Sequence, residues 1–337
     1  MKGAIQLPRQ LLRIGVYLAY VQLFDFAMRA YVIYENEDWM PPLRTALDEA
    51  GISYEEWFIN EGHFDVTSAP PEGVFINRMS ASSHTRDHTL GVEHTRQMLA
   101  WLERHGRRVI NGLHPFELEI SKVQQHAALE QAGIRTPATR AVAGGPDALR
   151  AAAADFPTPF ITKHNRGGKG LGVQLFESHA ELDTALDTGR VTFPPDGIIL
   201  LQQYIQAARP FITRCEFVDG ELLYAITSDT SEGFELCPAD ACRTEPDPEA
   251  ASDSLFALRE TVPPALIEQY KTFLAREQID IAGIEFIEDA EGRCWTYDVN
   301  GTSNYSPDVE EKHGLSGMAA VADLVKRCLH ESTASVA

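Results

Sequence analysis

Short apolar runs alternate with longer amphipathic stretches along most of the chain, the pattern of an α/β protein. AYVIY at 30–34 reads as a buried strand, 41–50 as a helix stopped by Gly51, and SYEEWFI at 53–59 and VFINR at 74–78 as further strands. A helix over 91–105, closed by Gly106, and the strand RRVIN complete a lobe with a largely parallel sheet that ends near His114–Pro115. Ser121 is a good N-cap for KVQQHAALEQAG, whose apolar residues fall at helical spacing until Gly133. IRTPATRAV is extended, DALRAAAADF and ELDTALDTG are helices, and PFITK, GVQLF and GIILLQQYI are strands. FITRCEFV and ELLYAITS flank Asp219-Gly220, a strong hairpin signal. Residues 228–262 look irregular. PALIEQYKTFLAREQ is an amphipathic helix, IAGIEFIED and RCWTYDVN form a second hairpin, and GMAAVADLVKRCLHE is the closing helix.

Residues 11–34 are apolar enough to raise the question of a membrane or signal segment. Arg13, Asp25 and Arg29 interrupt the run, and no small-residue cleavage site follows. The better reading makes MRAYVIYENE the first strand of the fold and 1–27 a weakly integrated extension. With 337 residues the chain is long enough for two or three domains. A formal net charge of −20 argues against a nucleic-acid surface, while leaving room for a local basic pocket. The five cysteines (215, 237, 242, 294 and 328) form no CxxC pair, which favours reduced thiols in the cytoplasm. Cys237 and Cys242 are close in sequence, but a zinc site needs two more ligands.

Two stretches carry chemistry. The first is FITKHNRGGKGLG at 160–172. It fails the Walker A spacing, because Lys163 stands where the first glycine belongs and Gly170 follows Lys169. It fails the dinucleotide fingerprint, because its glycines run GxGxG into a strand. What remains is a glycine-rich loop between two strands, either a plain hairpin or a flap over polyphosphate whose backbone amides form an anion nest. Lys163 favours the flap: it ends an apolar strand, where a charge is costly without a partner. The second stretch is the last hairpin. A turn centred between Ala290 and Glu291 sets Glu285 opposite Thr296. Strand alternation then puts Glu285, Thr296, Asp298 and Asn300 on one face, with Ile284, Phe286, Trp295, Tyr297 and Val299 facing the core. Oxygen-bearing side chains grouped in this way suit magnesium, although a wet sheet face gives the same pattern.

Taken together, these stretches resemble the ATP-grasp superfamily of carboxylate–amine ligases, in particular the branch of glutamate ligases acting on ribosomal-protein and coenzyme tails. The resemblance runs from about Glu119 to Leu329 and implies an α/β (α+β) ATP-grasp fold. The parts expected are the extension 1–27, a pre-ATP-grasp lobe 28–115, a central lobe 116–205 with its lid, a C-terminal lobe 206–330 and a tail 331–337. SKVQQHAALEQAGIRTP resembles the helix whose lysine reaches the nucleotide, which implies Lys122. ITKHNRGGKGLG resembles the strand and lid, which implies Lys163 with Gly167, Gly168, Lys169 and Gly170 around the ATP phosphates. LQQYI resembles the hinge, which implies Gln202, Gln203, Tyr204 and Ile205 around adenine. FITRCEFVDGELL implies Arg214 as the catalytic arginine. AGIEFI and YDVNGTSNYS imply Glu285, Asp298 and Asn300 as ligands of Mg2+, or alternatively Mn2+. The reaction implied is amide formation through an acylphosphate, from small-molecule or peptide carboxylate and amine substrates. A small-molecule kinase and a non-catalytic nucleotide-binding protein are the alternatives.

The sequence departs from the family in two places. Glu285 and Asp298 reverse the usual Asp and Glu. The stretch after the arginine strand, ITSDTSEGFELCPADACRTEP, has Arg243 as its only cation before Arg259, where the glutamate ligases carry more. A last segment, INRMSASSHTRDHTLGVEHTR at 76–96, has no assigned family role. Its His84 and His88 are four apart, but the serines and threonines around them point to a loop. It is either a solvated cap or a substrate-facing loop using Asn77, Arg78 and Arg86.

Overall fold

A computed structural model describes residues 28–168, 170, 172–230 and 256–336. The extension 1–27, Lys169, and Cys237, Cys242 and Arg243 lie outside the described residues. Among the described residues, thirteen strands form three sheets.

The first sheet has the order β2-β1-β3-β4 and is parallel throughout, built from β1 (Arg29–Tyr34), β2 (Tyr54–Phe58), β3 (Gly73–Arg78) and β4 (Arg108–Ile110). β1 is apolar without alternation because both its faces are covered. Ala30, Val32 and Tyr34 pack with Leu43, Ala46 and Leu47, which recur at helical spacing on α1 (Pro41–Glu49). Tyr31 and Ile33 pack with Val92, Met98, Leu99 and Leu102 of α2 (Gly91–Arg104). Two short helices follow, α3 (Leu113–Glu119) and α4 (Lys122–Gln131), the latter capped by Ser121 Oγ on the Gln124 N–H.

The second sheet is antiparallel with the order β5-β8-β6-β7: β5 (Thr139–Ala143), β6 (Phe160–His164), β7 (Gln174–Phe176) and β8 (Ile198–Gln203). Its apolar face and the helices α5 (Gly145–Ala153) and α6 (His179–Asp187) enclose a separate core that includes Leu149, Phe160, Phe176 and Leu201.

The third sheet, β11-β10-β9-β12-β13, is also antiparallel: β9 (Phe211–Val218), β10 (Glu221–Asp229), β11 (Phe256–Leu258), β12 (Ile281–Glu288) and β13 (Cys294–Asn300). One face of it, with Phe217, Ile284 and Phe286, packs on α7 (Pro264–Arg276) and on Ala128 and Leu129 of α4. Two helices close the chain, α8 (Pro307–His313) and α9 (Gly317–Val336). The segment expected to be irregular over 228–262 thus includes the end of β10 and the paired strand β11.

Packing redraws the expected lobes. Val321, Val325 and Leu329 of α9 share one core with Val32, Val74 and Ile110 of the first sheet and with Val218 and Ile226 of the third. The first and last lobes are therefore one hydrophobic unit joined by α9. The 115/116 boundary falls inside α3, and α4 packs with the third sheet, so the separate central lobe begins near β5. The expected tail is the continuation of α9 to Val336.

One amide fastens this unit next to the site. Asn111, buried and held at φ 51°, makes four side-chain hydrogen bonds. Its Nδ2 donates to the carbonyls of Ile281 and Gly301, both at 2.8 Å. Its Oδ1 accepts from the N–H groups of Asp280 (2.9 Å) and Ile281 (3.1 Å). Asn111→Ala strands two donors and two acceptors, and an orphaned buried group costs about 1–3 kcal/mol. The expected loss of about 3–5 kcal/mol is read by denaturant titration, and a loss under about 1 kcal/mol would show that the bracket is dispensable.

Candidate active site

The face of the third sheet opposite α7 turns from apolar to charged along its length. Val218 and Ile281 pack into the shared core, and Arg214, Glu216 and Glu285 follow on the same side. The second sheet faces this charged end across a cleft with a cavity of about 220 Å³. The cleft is lined by Lys122, Lys163, Gly167, Gly168, Gly170, the four residues 202–205, Arg214, Glu285, Asp298 and Asn300. Residues more than 170 positions apart in sequence are thus brought to one place.

The hairpin register differs from the expected one. Glu285 pairs with Asp298, and Phe286 pairs with Thr296, so Tyr297 is an extra residue in a β-bulge. The bulge turns Thr296 to the core, where its Oγ1 lies 2.6 Å from Tyr270 Oη. Tyr297 faces the cleft instead, and its O–H donates to Glu285 Oε2 (2.9 Å). Asp298 and Asn300 keep their shared side. Asn300 Nδ2 lies 3.5 Å from both Glu285 Oε1 and Asp298 Oδ2.

Two lysines approach this group from different lobes. Lys122, in the first turn of α4, bonds Asp298 Oδ1. Lys163, from β6, donates to the Tyr297 carbonyl (3.1 Å), with its Nζ 4.0 Å from Asp298 Oδ1. Burial works against the Asp298 charge, but the two lysines overcome it and hold the carboxyl well below the usual range. Burial also opposes the Lys122 charge, and Asp298 more than offsets this, so its pKa rises. For Lys163 burial wins, and its pKa falls to about 8.

Arg214 is fully engaged. Its Nε donates to Glu216 Oε1 (2.6 Å), Nη1 to Glu285 Oε1 (2.8 Å) and Nη2 to Ser303 Oγ (3.1 Å). Glu216 is wholly buried and also accepts from Ser303 Oγ (2.8 Å). The guanidinium lies over Gly283, where any Cβ would collide with it. At the hinge, Gln202 Nε2 meets His126 Nε2 (2.8 Å) and Thr139 Oγ1 (2.9 Å). Burial, then Lys163 and Lys122, push the pKa of His126 down to about 3, so its ring is neutral. The glycine-rich loop reaches the first lobe through Arg166, which donates to Glu93 Oε1 (3.1 Å).

The segment after β3 divides. Ser80, Ala81 and Ser82 line the cleft. Asn77 does not: its amide donates to the Asn111 carbonyl (3.0 Å) and accepts from the Met79 N–H (3.1 Å), which makes it a bracket. Arg86 is bound to Glu35, a fully buried carboxylate that also meets His88 Nδ1 (2.7 Å). His88 Nδ1 is thus taken by Glu35, and among the described residues no three His, Cys, Asp or Glu side chains form a metal cluster. Arg78 sits behind the lining, bonded to Asn304.

Glu119 is the main residue missed by sequence reasoning. It lines the cleft, its Oε2 accepts from the Gly301 N–H (2.5 Å), and burial lifts its pKa to about 7 against the pull of Gly301 and Lys122. It ends helix α3, where the macrodipole disfavours a carboxylate, and that mismatch is the signal it offered.

With this geometry in hand, residues 120–235 match the family model of the RimK-like ATP-grasp domain. The chain has an ATP-grasp fold. The ATP-grasp likeness extends well beyond that segment in solved structures. A RimK domain ATP-grasp protein from Sphaerobacter thermophilus DSM 20745 superposes with a TM-score of 0.60 at 18% identity, covering 88% of this chain and 99% of that one. D-cycloserine synthetase DcsG gives 0.62 at 19%, with 89% and 99% covered. The D-alanine–D-alanine ligase of Bacillus anthracis, complexed with ATP, gives 0.62 at 16%, with 92% and 100% covered. No curated protein sequence matches the chain. No helix among the described residues is long and apolar enough to cross a membrane.

Lys163 provides a pH test of this electrostatic arrangement. Its folded pKa of about 8 lies below the ordinary lysine value of 10.5, so between them the unfolded chain binds more protons. Its contribution therefore makes the protein more stable as pH rises from about 8 toward 10.5. Denaturant titrations on either side of this window should show the wild type gaining on Lys163→Met; equal responses would remove the buried, poorly paired lysine.

Proposed function

We propose that the protein is an ATP-dependent carboxylate–amine ligase that works with Mg2+, with Mn2+ as an alternative. The observation that carries this reading is the pair of buried lysines, one from each side of the cleft, set against Glu285, Asp298 and Asn300. The likeness to ATP-grasp ligases supports it. Two carboxylates and an amide make an incomplete shell for a hard divalent ion, which suits a metal shared with phosphate oxygens and water. When bound, the ion would neutralise charge on the transferring phosphoryl group.

The chain's own residues then have distinct tasks. Lys122 exchanges Asp298 for phosphate oxygens, and Lys163 adds the second fixed cation. Residues 202–205 hold the adenine end, with the Gln202 amide steadied by His126 and Thr139. The loop with Gly167, Gly168, Lys169 and Gly170 closes the cleft, excluding water from an acylphosphate. Arg214 holds Glu285 in place while its guanidinium faces the cleft, already oriented by Glu216 and Ser303. An amine substrate attacks the acylphosphate and phosphate leaves. Among the described residues Cys215, Cys294 and Cys328 are free thiols, which fits a reducing compartment, and we infer a cytoplasmic location.

Calorimetry on Lys163→Ala and Asn300→Ala should show ATP affinity reduced by about tenfold or more, equivalent to about 1.4 kcal/mol. Unchanged affinity in both variants would sink the site. Mass spectrometry of reactions with amino acids and peptides should find ADP, phosphate and an amide; a stable phosphorylated product would identify a kinase instead.

A further inference from the structure

Asn165 follows Lys163 by two positions, at the root of the glycine-rich loop, and only 4% of it is exposed. It belongs to the central lobe, where its N–H donates to the Ile198 carbonyl (3.1 Å) and its Nδ2 to Asp196 Oδ2 (2.6 Å), just before β8. Its two acceptors cross to the other lobe. The backbone carbonyl accepts from the Lys122 N–H (3.3 Å), and Oδ1 accepts from the Val123 N–H (2.9 Å) and the Ser121 hydroxyl (3.4 Å). The first N–H groups of a helix find no partner within it. In α4 the Gln124 N–H is taken by Ser121, and those of Lys122 and Val123 are taken by Asn165. The start of α4, which carries Lys122, is therefore capped from the lobe that carries Lys163. Asp196 decides which way the amide faces. Turned round, it would set Oδ1 against a carboxylate and Nδ2 against an N–H.

We propose that Asn165 is a positioning residue that sets the spacing of Lys122 and Lys163 across the lobe boundary, so that the two cations meet the nucleotide's phosphates as a pair. What the pair holds rests on the ligase reading above; the clamp itself does not. Packing alone leaves the spacing open. Ala128 and Leu129 of α4 sit in the core under the third sheet, and Phe160 of β6 sits in the core of the central lobe, and the two cores share no residue. Asn165 ties the backbone of α4, next to Lys122, to the end of the strand that carries Lys163. Its amide, held by Asp196, is already oriented for this task. Fixed cations stabilise phosphoryl charge without reorganising, and small displacements of such groups are costly.

Three variants of the full-length protein test this. Asn165→Ala removes the side-chain clamp, and Asn165→Ser, whose hydroxyl is too short to reach both partners, is the milder form. Asn165→Asp combined with Asp196→Asn exchanges donor and acceptor between the two positions, keeps an acceptor for the Val123 N–H and leaves the net charge unchanged. Hydrogen exchange without added ligand should quicken at the Lys122 and Val123 amides in the two single variants and return to the wild-type rate in the combined one. Unchanged exchange in both single variants would overturn the clamp. Calorimetry with ATP and Mg2+ should show affinity reduced by about tenfold in Asn165→Ala, with adenosine affinity within about twofold of wild type. The combined variant should recover most of that loss. Equal losses for ATP and adenosine, or ATP affinity kept in both single variants, would make Asn165 a structural cap only and overturn the proposal. A wild type that binds neither ligand, with the exchange pattern intact, would count against the ligase reading and leave the clamp between the lysines standing.

Discussion

The cleft is organised around one partly buried carboxylate serving two buried lysines. Asp298 bonds Lys122 directly and holds Lys163 within 4.0 Å, and the lysines arrive on separate elements, α4 and β6. Removing any of the three changes the electrostatic state of the other two, because their charges are compensated chiefly by each other in a site withdrawn from water. Lys163 also fastens the central lobe to the third sheet through the Tyr297 carbonyl, so one of the contacts joining the lobes also brings a charge to the site. Burial disfavours the Lys163 charge by more than Asp298 offsets, with Lys122 adding to the cost, so its pKa is lowered. An anion entering between the lysines relieves that imbalance.

Much of the site was legible because its key positions depend on alternation alone. Asp298 and Asn300 are two apart on one strand and share a face in any register. Thr296 is separated from them by the bulge at Tyr297, and counting residues back from the turn could not reveal an inserted one. The error therefore exchanged Thr296 and Tyr297 between core and cleft while leaving the oxygen-bearing trio intact. Glu119 escaped because it belongs to no motif, and only its awkward place at a helix C-terminus set it apart. Asn77 and Arg86 looked like substrate residues by type and neighbourhood. Their partners, Asn111 and Glu35, lie just past the ends of other strands, β4 and β1, and a single sequence gives no information on such pairings.

Element types were readable from periodicity, including the parallel first sheet with its unalternated strands. The division into lobes was not. Composition suggested breaks where turn residues gather, but α9 packs against two sheets at once, merging the first and last parts of the chain into one core. Burial on both sides of one helix is a long-range fact that local hydrophobicity does not encode. The core of the second sheet with α5 and α6 draws no residue from the rest of the chain, which makes the central lobe the natural moving part across the cleft.

Gly283 is an ordinary glycine in a strand until its neighbour is considered. Arg214 pairs in register with Glu285 and Glu216 pairs with Gly283, so the guanidinium crosses diagonally over the one position without a side chain to reach both carboxylates. The absent Cβ is what allows a single cation to span two acids on adjacent strands. Positions 283 and 214 are thus coupled in space: a side chain at 283 would push the guanidinium off the carboxylates it spans.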